Sequence, residues 1–73
     1  MRLPVVSGRD AVKALCRLGF EFHHQTGSHL ILSRRRPLGF ASIPNHPEIR
    51  KGTLLAILRK AGVTREEFLA ALR

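Results

Sequence analysis

The hydrophobic period changes at Gly19, and that change limits the chain to a mixed α and β fold. Before it, Ala11, Val12, Leu15, Cys16 and Leu18 recur at the spacing of one helical face. Ser7 stands where an N-cap belongs, and Asp10 three residues later puts negative charge at the positive end of the helix. Gly19 supplies the left-handed residue that commonly ends a helix. From there Phe20, Phe22 and His24 alternate with Glu21, His23 and Gln25, the period of a strand. Thr26-Gly27 breaks the run, and residues 28–33 form a second strand rich in Leu and Ile.

Residues 34–39, Arg-Arg-Arg-Pro-Leu-Gly, read as a basic turn, residues 40–43 as a short third strand, and residues 44–47 as a loop restricted by two prolines. Helical spacing returns over residues 53–61, with Leu54, Leu55, Ile57 and Leu58 as its apolar stripe and Gly62 closing it. Thr64 and Glu67 fit a capping box ahead of Phe68, Leu69 and Leu72, a short third helix. The predicted fold is α+β, in the order α-β-β-β-α plus a short C-terminal helix. It has an antiparallel three-stranded sheet with helices on one face. Double-stranded-RNA-binding domains share the first five elements of that order. At 73 residues the chain is expected to be one domain, residues 1–73, because so short a chain cannot bury a second core.

Two hairpin registers are open between the first two strands. A two-residue loop of Thr26-Gly27 would set Phe22 opposite Ile31 and His24 opposite His29. A three-residue loop ending at Gly27 would pair Phe20 with Leu32, Phe22 with Leu30 and His23 with His29. The second gathers four large apolar groups on one face and puts Gly where a left-handed residue is needed, so it is preferred. The two histidines would then look away from the helices.

Charge narrows the partners. Thirteen Lys and Arg against five Asp and Glu give +8, with a sequence pI near 11.6. Such a field draws polyanions, nucleic acid first. Ten of the thirteen cations are Arg, whose planar fork suits phosphate. The lone Cys16 excludes an internal disulfide and a zinc site built on two or four thiolates. No stretch approaches the ~18 apolar residues of a membrane span. The first residues lack the apolar core of a secretory signal, and a soluble cytoplasmic protein is expected.

The chemistry available is narrow. A nucleophile elbow, a phosphate-binding Gly-rich loop, a Cys-x-x-Cys pair and a His-Glu-x-x-His motif are all missing. Five scattered carboxylates (Asp10, Glu21, Glu48, Glu66 and Glu67) make a two-metal nuclease a poor fit; no metal or cofactor is expected. Histidine is the side chain whose unperturbed pKa lies near neutrality, and the chain has His23, His24, His29 and His46. Exposed imidazoles on a basic protein suit metal-free cleavage of RNA. An imidazole takes the proton of a ribose 2′-hydroxyl, whose oxygen attacks the adjacent phosphate, while cations stabilise the charge that builds there. Arg34, Arg35 and Arg36 read equally as a phosphate-binding run or a solvated turn. Arg50 and Lys51 precede a helix start, where free backbone N–H groups favour phosphate.

Several short motifs in sequence carry a family likeness: the Ser7-Gly8-Arg9-Asp10 helix start, Leu18-Gly19-Phe20, Gly27-Ser28-His29, and Ile43-Pro44-Asn45-His46. Lys51-Gly52-Thr53-Leu54, Ile57-Leu58-Arg59-Lys60-Ala61-Gly62 and Glu67-Phe68-Leu69 continue it. By these the chain resembles the HicA (YcfA-like) mRNA interferase toxins of toxin–antitoxin pairs. The resemblance implies a double-stranded-RNA-binding-like fold and metal-independent cleavage of mRNA that inhibits translation and growth. It also implies an essential catalytic histidine after Gly-Ser, here His29. It further implies a HicB-type antitoxin that covers the active surface. The free toxin is expected to be monomeric. For the general acid, His46 matches a family position, and His23 is the candidate from the hairpin register. Ser28, Arg34, Arg35, Arg36, Arg50 and Lys51 are the expected RNA contacts. The alternative is a non-catalytic RNA-binding module on the same fold.

Overall fold

The computed structural model describes residues 3–73; Met1 and Arg2, part of the stretch read for a secretory signal, lie outside the described residues. The elements are α1 (Gly8–Arg17), β1 (Glu21–Thr26), β2 (His29–Arg35), β3 (Leu38–Pro44), α2 (Lys51–Ala61) and α3 (Arg65–Leu72). The three strands form one antiparallel sheet in the order β1-β2-β3. This is the predicted α+β arrangement. Among the described residues, no helix is long and apolar enough to cross a membrane.

Both predicted caps form. Ser7 Oγ accepts from the Asp10 backbone N–H at 3.0 Å and the Asp10 carboxylate accepts from the Ser7 N–H. Thr64 and Glu67 repeat the exchange at α3, at 3.1 and 2.9 Å. Each satisfies two of the N–H groups that a helix start leaves without partners. Gly19 and Gly62, at φ +97° and +72°, follow α1 and α2.

The core lies between the helices and one face of the sheet. Leu30 and Leu32 of β2, with Ala41 and Ile43 of β3, meet Leu15 of α1, Leu54 and Leu58 of α2 and Phe68 of α3. Cys16, expected on the buried face of α1, is exposed; Gly8 and Ala14 are buried instead. Gly39 lets α2 sit directly on β3, since a Cβ there would collide with the Ala61 carbonyl.

The hairpin departs from both predicted registers. Thr26 pairs with His29, so the loop is Gly27-Ser28, with the positive φ of +59° at Gly27. Gly at the first central position is what a type II′ turn asks for. Gln25 then pairs with Leu30 and His24 with Ile31, but Phe22 pairs with Leu32, so His23 is the extra residue of a β-bulge. A bulge reverses which way the following residues point. Phe22 stays on the helix side while His24, two residues on, moves to the open side, and the predicted His23–His29 pair does not form.

The second turn is also shorter than predicted. Strands β2 and β3 run on through Arg35 and from Leu38, leaving only Arg36-Pro37, joined by a cis peptide bond, between them. Helix α2 starts at Lys51, two residues before the predicted start, because the Leu54 N–H already bonds to the Arg50 carbonyl at 2.9 Å.

Candidate active site

Strand β2 sorts its side chains by parity. Leu30, Leu32 and Arg34 point into the packed face, while His29, Ile31, Ser33 and Arg35 point to the open one. His29 therefore begins the strand on the side without helices, exposed, as the sequence predicts.

Three backbone hydrogen bonds bring the loop after β3 beside it. The Asn45 N–H donates to the Ser28 carbonyl at 2.7 Å, the His46 N–H to the Pro44 carbonyl at 2.9 Å, and the Gly8 N–H to the His46 carbonyl at 2.9 Å. Gly8 is required for the last of these, because a Cβ there would run into the Pro44 carbonyl and Asn45 Cα. Ile49 closes the loop, bridging to Val6. The outcome is a cleft of about 400 Å³ lined by His29, Ser42, Pro44, His46, Glu48, Ile49, Arg50 and Thr53.

Two imidazoles, one carboxylate and one guanidinium thus share a cleft beside the first turn of α2. That helix has no side-chain cap hydrogen bond at Arg50, which leaves partial positive charge on its first N–H groups, and Arg50 and Thr53 at that end line the cleft. Such a set can accept a proton, donate one, and stabilise an anion.

The other predicted contacts are dispersed. Ser28 occupies the hairpin turn next to His29, and Lys51 is exposed on the first turn of α2. Arg35 and Arg36 sit at the far end of β2, ~20 Å from His29 by the rise per strand residue. Arg34 is not available to a ligand. It is 7% exposed, its guanidinium lies 4.5 Å from the Phe20 ring centroid, and it donates to the carbonyls of Leu18 at 3.0 Å and Pro37 at 2.8 Å. His23, bulged out of the ladder, bonds through Nε2 to Ser33 Oγ. Sequence reasoning gave Ser42, Glu48 and Thr53 no role in a site; lone polar residues on a strand, in a loop or in the first turn of a helix carry no spacing signal.

The sequence model of one family, described as the HicA toxin of bacterial toxin–antitoxin, matches residues 8–63. That span runs from the start of α1 to just past α2 and includes every residue of the cleft. The chain belongs to the HicA toxin family. No curated protein matches it closely enough to count as a relative.

Proposed function

We propose that this toxin is a metal-independent endoribonuclease that cleaves mRNA by 2′-hydroxyl attack, with His29 as the catalytic histidine. The observation that supports it most is the shared cleft of His29 and His46 with Arg50 at its edge. His29 takes the proton from the ribose 2′-hydroxyl. The freed oxygen attacks the neighbouring phosphorus, a 2′,3′-cyclic phosphate forms and the P–O5′ bond breaks. His46 donates the proton that the 5′-oxygen needs to leave. Arg50 and the first N–H groups of α2 stabilise the charge on the non-bridging oxygens. Arg35, Arg36 and Lys51 hold the strand on either side through phosphate contacts, and Ser28 borders the site. Arg34 has no part in binding.

An acidic HicB-type antitoxin would cover this basic face, its charge speeding association. The free toxin acts as a monomer in the cytoplasm, where mRNA is.

Purified wild type, His29→Ala and His46→Ala are tested on a structureless RNA and the matching DNA in EDTA. Wild type cuts RNA and spares DNA. His29→Ala binds RNA as tightly but cuts it about 10²- to 10⁴-fold more slowly, and His46→Ala is impaired while still binding. If all three proteins bind and none cuts, the chain is a binding module. If His29→Ala cuts like wild type, the assignment of His29 is wrong.

A further inference from the structure

The open face holds something that proton transfer does not use. Phe40 on β3 points away from the helices and is 51% exposed, and Leu38, on the same side, is 85% exposed. Phe40 pairs with Ser33, next to Ile31, and is ~13 Å along the strands from His29. Between them runs a shallow hollow of about 530 Å³, lined by His24, Thr26, His29, Ile31, Phe40 and Ser42. The β1 bulge is what turns His24 and Thr26 towards it. One end of the hollow is therefore an imidazole and the other an aromatic ring with an aliphatic neighbour, and hydroxyls stand on both flanks.

Resting on the ribonuclease reading, we propose that this hollow binds single-stranded RNA, with the base of a nucleotide one or two positions from the scissile phosphate stacked on Phe40. Every unpaired base has a π face, and stacking on a protein ring is tolerant of sequence. Bases in a duplex spend their faces on one another and offer none to Phe40. A duplex also holds its backbone in A-form, whereas attack by the 2′-oxygen needs a linkage free to bring that oxygen in line with the leaving group. The +8 charge supplies the attraction for the backbone, and Thr26 and Ser42 can hydrogen-bond base edges. Phe40 is thus a platform that sets the register of the strand over His29, and the fold, despite its element order, selects unpaired RNA.

The test uses the full chain carrying His29→Ala, so that RNA stays intact. Binding of a structureless oligonucleotide, and of the same strand annealed to its complement, is measured with Phe40, Phe40→Leu and Phe40→Trp. The single strand binds more tightly than the duplex. Phe40→Leu weakens single-strand binding about tenfold with little effect on the duplex and no change in melting temperature. Phe40→Trp binds like the parent, and its indole fluorescence is quenched by the RNA. Equal affinity of the Leu and Phe proteins for the single strand, preference for duplex, or no quenching overturns the platform. Unchanged RNA affinity with lost capture of a protein partner assigns the face to that partner instead. Phe40→Leu in the wild-type His29 background separates the two claims. Undiminished cutting sinks the platform and leaves the ribonuclease; no cutting by the Phe40 parent sinks the ribonuclease.

Discussion

Arg34 and Arg35 are neighbours on one strand, carry the same charge, and serve opposite faces of the sheet. Arg34 is buried against the segment that follows α1, its fork divided between two backbone carbonyls and the face of Phe20. Arg35 stands in solvent on the face that carries His29. The packed face holds the molecule together, and the open face carries its imidazoles, hydroxyls and an uncovered aromatic ring. A run of basic residues is thus no unit of function. In a strand its members part by parity, and only every second one can reach a ligand on a given face.

Replacing each arginine in turn tests that division most strongly. Arg34→Ala strands the Leu18 and Pro37 carbonyls and removes the cation over Phe20, which together cost about 3 kcal/mol of stability. RNA affinity of the folded fraction stays the same. Arg35→Ala changes stability by less than about 0.5 kcal/mol but weakens RNA binding and lowers its salt dependence. Urea melts and RNA titrations at two salt concentrations measure both. Matching behaviour of the two variants would end the distinction.

Gly8 links the two faces. Gly8→Ala places a methyl against the Pro44 carbonyl and Asn45 Cα, with an expected loss of about 1–3 kcal/mol. It also pushes the His46 segment away from His29, so cleavage falls at temperatures where the variant is still folded. A stable variant with full activity would show that the loop is held some other way.

The smallest effect belongs to the packed side. Backbone and hydroxyl hydrogen bonds from Thr64, with a smaller contribution from the charge of Arg34, hold the Glu67 carboxyl below its usual 4.5. A carboxyl depressed on folding contributes stability above that ordinary value, and the contribution is lost as pH falls through the lowered one. Glu67→Gln keeps an acceptor for the Thr64 N–H but removes the charge, so it flattens the acid limb of the stability curve slightly. Thermal melts between pH 3 and pH 7 read this out, and cleavage at neutral pH stays as it was.

Much of this division was legible in the residues. The period switch at Gly19, the Ser7–Asp10 and Thr64–Glu67 caps and the stripe through Leu54, Ile57 and Leu58 are local signals, and local signals fix elements. His29 on the open face followed from parity, since any register that buries Leu30 and Leu32 turns it outward. The bulge at His23 was not legible, because alternation in Phe20, Phe22 and His24 looks unbroken until β2 imposes its own pairing. Nor was the burial of Arg34. Residues 34–39 read as a turn, and only the packed sheet shows that the Arg34 guanidinium reaches the Leu18 carbonyl, 16 residues back, as well as that of Pro37. The cleft itself is tertiary, made by hydrogen bonds from Gly8 and Asn45 that join segments far apart in sequence.

The most direct test of the open-face chemistry is the nature of the ends left by wild-type cleavage, read by mass spectrometry on a short RNA cut in EDTA. Attack by the 2′-oxygen predicts a 2′,3′-cyclic phosphate on one fragment and a free 5′-hydroxyl on the other, and no cut where the 2′-hydroxyl is replaced by hydrogen. A 3′-hydroxyl beside a 5′-phosphate would mean that water, not the ribose, attacks, and would contradict the account.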